Sequence, residues 1–186
     1  MALFHTKASD LSLLARAMKK QMNIRTLTLD FDRDGSERRE DNKSSRVRTQ
    51  RRRAMNLLMR AVQRCECVQQ LLVWGPSQNY EFFDEEGWRA LCDVVQHTSL
   101  EVLHVMYCGL GDNEAKQLAT SLTNNTTLRG LGLYWNRIGE DGVRALSDVL
   151  QSNNTMKGLD LIFNNYSEST GDRVRHELKH ITGLYV

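Results

Sequence analysis

Residues His176-Glu177-Leu178-Lys179-His180 spell H-E-x-x-H, in which two histidines one helical turn apart hold zinc and the glutamate acts as general base. The register of the surrounding helix argues against that chemistry. Val174 and Leu178 mark its apolar stripe, so His176 and His180 point roughly 200° away from Leu178, toward solvent. No His, Asp, Glu or Cys follows His180 to complete a ligand set. Cys65-x-Cys67 is too sparse for a zinc site unless Cys92 converges on it. There is no P-loop and no nucleophile elbow, and Gly130-x-Gly132 falls within a strand pattern rather than between a strand and a helix. The expectation is therefore no catalytic residue, no metal and no cofactor, with a small-molecule substrate improbable on the same grounds.

The second group with chemical potential is basic. Between Arg33 and Arg53 lie nine basic residues and four acidic ones, +5 locally in a chain whose net charge is only +2, which leaves −3 for the rest. Ser44 or Ser45 is positioned to start a helix that gathers Arg46, Arg48, Arg51, Arg52 and Arg53 at its N-terminal end, where positive charge opposes the helix dipole. An anionic partner, RNA or an acidic protein surface, is the functional reading, and a solvated loop is the plain one. No aromatic residue that would stack on a base lies in this stretch, which weakens the RNA reading.

The elements that must position these groups come from a repeat. Leu100–Leu110 and Leu128–Ile138 both read L-x-x-L-x-L-x-x-(N/C)-x-(L/I), offset by 28 residues (128 − 100), and a third copy starts at Met156 with Leu159, Leu161 and Asn164. A unit of this length cannot bury its apolar face alone, so a fixed period in this range means a stacked solenoid. Each unit alternates at period 2, with Leu103 and Val105 or Leu131 and Leu133 inward, and then turns apolar at helical spacing through Ala115, Leu118, Leu122 or Val143, Leu146, Leu150. The ninth position holds Cys108, Asn136 and Asn164, and an asparagine there can pair backbone groups of adjacent loops. The same register recovers weaker strands at Ile24–Leu29 and Val68–Val73.

The expected plan is one domain over residues 1–186: a capping helix at 8–23, a divergent repeat at 24–67 carrying the basic insertion 33–53, repeats at 68–99, 100–127 and 128–155, and a C-terminal repeat at 156–186. This amounts to five strands and six helices. No apolar run approaches the roughly 18 residues that span a bilayer, and no signal core is visible. A membrane partner is not expected. The four cysteines Cys65, Cys67, Cys92 and Cys108 read as reduced thiols of a cytoplasmic or other intracellular protein.

These repeats resemble the ribonuclease-inhibitor-like class of leucine-rich repeat, shared by that inhibitor, NOD-like receptors, tropomodulins and the GTPase-activating protein of Ran. The resemblance is carried by residues 100–165 and is weaker upstream, where Asp32 and Pro76 stand at ladder positions. It implies an α/β solenoid, a short horseshoe with parallel strands on a concave face and helices on a convex one. It also implies binding more often than catalysis. On the concave face, positions seven and eight give two columns: Trp74, Met106, Tyr134 and Ile162, and beside them Tyr107, Trp135 and Phe163. Gly130, Gly132 and Gly158 leave a flat floor next to them.

The function expected is a non-enzymatic interaction module or assembly subunit that binds another protein through this aromatic face. The alternatives are a ribonucleoprotein or other nucleic-acid-associated subunit contacted through the insertion, and a GTPase regulator by analogy with the Ran family. If the face serves only a partner, truncating Trp135 should leave stability nearly unchanged.

Overall fold

The computed structural model describes residues 2–5, 15, 18, 24–31, 45–65, 67–75 and 82–186. The strands are β1 Ala2–His5, β2 Thr26–Asp30, β3 Gln70–Trp74, β4 Val102–Met106, β5 Gly130–Gly132, β6 Gly158–Asp160 and β7 Gly183–Tyr185. The helices are α1 Ser45–Arg64, α2 Glu85–His97, α3 Asp112–Leu122, α4 Glu140–Leu150 and α5 Glu168–Glu177. All seven strands lie in one parallel sheet in chain order. Each crossover from β2 to β6 carries a helix, which parallel pairing requires.

The class is the expected α/β solenoid; the counts differ. β1 and β7 extend the sheet beyond five strands. Their partners lie 25 residues away (Ala2 with Leu27, 27 − 2; Gly158 with Gly183, 183 − 158), off the 28-residue period that located the others. Five helices are described, and Ala15 and Met18 are helical and buried in the expected capping segment. The rest of that segment, residues 33–44 of the insertion and the ladder positions Asp32 and Pro76 lie outside the described residues.

One side of the sheet is closed by the helices. Leu103, Val105, Leu131, Leu133, Leu159 and Leu161 pack there against Leu118, Leu122, Val143, Leu146 and Leu150, all of them buried. Each such side chain removed from water stabilises the fold by about 1.5–3 kcal/mol. α3, α4 and α5 begin at residues 112, 140 and 168, one period apart, and each is fastened to the next. Asp112 Oδ1 accepts from the amides of Gly139 (2.6 Å) and Gly142 (3.0 Å), so a carboxylate of one repeat caps the helix of the following repeat. Glu140 does the same one unit later, accepting from the Ser167 amide at 2.7 Å and from the Thr170 hydroxyl.

Two asparagine ladders close the loops. On the strand-to-helix side, Asn136 is fully buried; its Oδ1 accepts from the amides of Cys108 (3.0 Å) and Leu110 (3.2 Å), and its Nδ2 donates to the carbonyls of Val105 and Leu133, both at 2.8 Å. Asn164 accepts from the Ile138 amide at 3.0 Å and donates to Leu133 (2.9 Å) and Leu161 (2.8 Å). On the helix-to-strand side, Asn125 accepts from the Leu128 amide at 2.8 Å and donates to the Val95 carbonyl at 2.7 Å. Asn153 accepts from the Met156 amide at 2.9 Å and donates to the Asn125 carbonyl at 3.2 Å.

Asn136→Ala removes the side-chain partner of two buried amides and of the Val105 carbonyl, while the Leu133 carbonyl keeps Asn164, and should cost at least about 3 kcal/mol. Leu131→Ala should cost about 2–5 kcal/mol through transfer and cavity terms. Urea denaturation measures both; wild-type stability in the Asn136 variant would contradict the ladder.

Candidate functional site

The residue before each ladder position must turn the chain so that the ladder side chain points inward. In three successive units that residue is aromatic and left-handed: φ is 56° at Tyr107, 57° at Trp135 and 58° at Phe163. This conformation costs a side-chain-bearing residue about 1–2 kcal/mol, and glycine or asparagine would adopt it more readily. With the ladder residue inside, the aromatic ring is thrown onto the rim of the open sheet face, the face turned away from the helices.

There the rings stack. Trp135 lies between Phe163 (centroids 4.3 Å apart, 23° between planes) and Tyr107 (5.3 Å, 12°), and Tyr107 continues onto Trp74 (5.7 Å, 13°). Trp74 joins this column although it stands at position seven. Position eight of its unit is Gly75, whose amide donates to the Met106 carbonyl at 2.7 Å and where a Cβ would come within 2.3 Å of the Tyr107 carbonyl oxygen. No side chain fits there, and the neighbouring tryptophan takes up the stack.

The expected first column is thereby corrected. Tyr134 meets Trp74 edge-on at 6.2 Å across the intervening strand, over Met106, which is only 2% exposed. Met106 is thus packing beneath the rings and not available to a partner. Ile162, Tyr134, Trp135, Tyr107 and Trp74 are half-exposed, and Phe163 at the end of the stack is 58% exposed. Phe31, at position eight of its own unit, is buried and leads inward through Phe82 and Phe83 to Trp88.

Beside the stack, in register across β4 to β6, lie His104, Gly132 and Asp160. The His104 imidazole covers Gly132, 3.0 Å from where a Cβ would sit, and so leans toward Asp160. Burial holds the His104 imidazole below its ordinary pKa, against the opposing pull of Asp160. Burial raises the Asp160 carboxyl, although the Ile162 amide and His104 favour its charged form. Tyr134 is raised by burial and by the nearby Asp160.

A family profile described as Leucine Rich repeat matches residues 96–119 and 124–147, the units that carry the aromatic rim. These units are leucine-rich repeats. Among solved structures, the tropomodulin C-terminal domain of Caenorhabditis elegans superposes with TM-score 0.67 at 11% identity, covering 94% of this chain and 93% of that one. A structure described as Leiomodin-1 Actin-Binding Site 2 shares 21% identity over 59% of this chain and 68% of its own, with TM-score 0.49. At 11% identity the likeness to the tropomodulin domain is one of fold. No curated protein sequence matches the chain.

The remaining candidates lie away from the rim. α1 begins at Ser45 and brings Arg46, Arg48, Arg51, Arg52 and Arg53 to its N-terminal half; Arg52 is half-exposed and Arg53 exposed, while the side chains of Arg46, Arg48 and Arg51 lie outside the described residues. Leu57, one turn beyond Arg53, is 53% exposed, a feature not anticipated. In the H-E-x-x-H stretch Leu178 is buried, His176 and His180 are exposed, and Glu177 accepts a hydrogen bond from the Ser147 hydroxyl at 2.7 Å. The motif's residues therefore do not converge. Cys65 and Cys67 are joined in a disulfide across Cα atoms 5.3 Å apart, which corrects the expectation of four free thiols. The turn that ends α1 brings the two together. Cys92 and Cys108 are free and buried; burial pushes the Cys92 thiol up to about 11, and the Cys108 thiol is raised by the same cause. Among the described residues no helix is long and apolar enough to cross a membrane.

Stacking changes the expectation for Trp135. It has a ring on each face, worth about 0.5–1.5 kcal/mol apiece, so Trp135→Ala should cost about 1–3 kcal/mol in urea denaturation rather than nothing. Phe163→Gly loses one stacked face but relieves a left-handed residue, and should stay within about 1 kcal/mol of wild type. A loss above about 3 kcal/mol at Phe163 would show that the end ring is core.

Proposed function

We propose that this chain is a non-enzymatic interaction module that binds a protein partner through the aromatic rim of its open face. The observation that carries the reading is that three successive repeats hold an aromatic residue in the left-handed turn, where glycine or asparagine would be less strained, and leave the rings half-exposed. Only Phe31, Met106 and Gly75 of the neighbouring positions are buried, so the rings are not there to fill the core. Large rings pre-stacked in one orientation have little conformational freedom left to lose on binding, and tryptophan and tyrosine are the side chains most often found at interface hot spots.

The test is recovery of a partner from the native source with wild-type chain, Phe163→Gly, and Arg52→Gln/Arg53→Gln. Phe163→Gly should cut recovery of the specific partner at least tenfold, since about 1.4 kcal/mol is a factor of ten. Undiminished recovery by Phe163→Gly, with loss in the arginine variant, would move the interface to α1 and to an anionic partner.

A further inference from the structure

The open face is chemically lopsided. Of the residues of β2 to β7 that point away from the helices, two are aspartates, Asp30 and Asp160, and none is lysine or arginine, although the chain as a whole carries 25 basic against 23 acidic residues. Asp160 is half-buried, and its Oδ1 accepts one hydrogen bond, from the Ile162 amide at 3.2 Å. Its other oxygen accepts none from the described residues. Around it stand Tyr134 and the His104 imidazole, which burial keeps below its ordinary pKa and therefore disfavours as a cationic partner. On the row beside it, Gly130, Gly158 and Gly183 are in register and present no side chain. A carboxylate with an unfilled acceptor, set among aromatic rings and reached over an unobstructed floor, is suited to a planar cation.

We infer that the open face takes an arginine side chain of its protein partner, the guanidinium hydrogen-bonding to the Asp160 carboxylate while its plane lies against the aromatic rim beside Tyr134. This rests on the reading of the rim as the interface and adds the chemistry of what docks there. The carboxylate and the rings act on different faces of the same group: the N–H edges of a guanidinium pair with a carboxylate in a fork, and its flat face stacks on π systems. An ammonium group is attracted to a ring as a point charge but has neither the flat face to stack on it nor the fork to hold the carboxylate at the same time.

Three tripeptides, acetyl-Leu-X-Leu-amide with X arginine, lysine or citrulline, separate the possibilities. Citrulline keeps the shape of arginine without its charge. Each is titrated into the isotope-labelled full chain, following the amide signals of Gly132, Asp160 and Ile162 and the indole signal of Trp135. The arginine peptide should shift these signals and bind at least fivefold more tightly than the citrulline and lysine peptides. Asp160→Asn, with its spectrum otherwise preserved, should abolish the preference for arginine over citrulline. Trp135→Ala should weaken all three. Equal binding of arginine and citrulline, with shifts at Trp135, overturns the inference and leaves the rim as an interface. Equal binding of lysine and arginine overturns the guanidinium assignment, and shifts confined to α1 overturn both the inference and the reading beneath it.

Discussion

Stacking parallel units edge to edge leaves each loop with backbone amides and carbonyls that can reach neither the sheet nor water, and the asparagine of the next unit supplies their partners. Asn136 alone satisfies two amides of the preceding loop and bridges carbonyls of two strands. Much of the remaining geometry follows from keeping that side chain inside. The preceding residue must turn left-handed, its side chain must leave on the opposite side, and the repeat places it beside its counterparts. Tyr107, Trp135 and Phe163 each stand one residue before Cys108, Asn136 and Asn164, and their φ values agree within a few degrees. The position of the rim, though not its aromatic character, is the outward consequence of an inward hydrogen-bond requirement.

That coupling makes the surface rigid without further devices. The rings sit on turns that the ladder fixes, and the ladder sits between helices locked to one another by Asp112 and Glu140 across successive repeats. Hydrogen bonds from Thr170 and Ser167 hold the Glu140 carboxyl below its ordinary pKa, so this clasp favours the charged carboxylate. Among the described residues with a side chain, left-handed strain falls on the three aromatics, where ring stacking offsets part of it.

The repeats from Leu100 to Asn164 were legible from the residues alone, because leucine spacing reports directly which side chains face the core. The alternation in β4 to β6 and the starts of α3 and α4 follow from it. Less legible was anything decided by a side chain leaning across a strand. Met106 shares its position in the repeat with Trp74 and Tyr134, yet those two rings close over it. Trp74 changes column because Gly75 leaves no room for a ring of its own. The second ladder, Asn125 and Asn153, shows in the sequence as a repeated Asn-x-Thr, and its period of 28 (153 − 125) was the available signal. β1 and β7 escaped the period altogether, and the Cys65–Cys67 pairing depends on a turn that composition does not encode.

The central claim is that the aromatic rim of the open face meets the partner. Hydroxyl-radical footprinting of the free chain, and of the complex isolated from the native source, reports side-chain accessibility without altering a residue. The account predicts protection of Phe163, Trp135 and Tyr134 in the complex, with Leu57 on α1 oxidised to the same extent in both. Unchanged oxidation across the rim, with protection concentrated at Leu57 and its neighbours on α1, would contradict it.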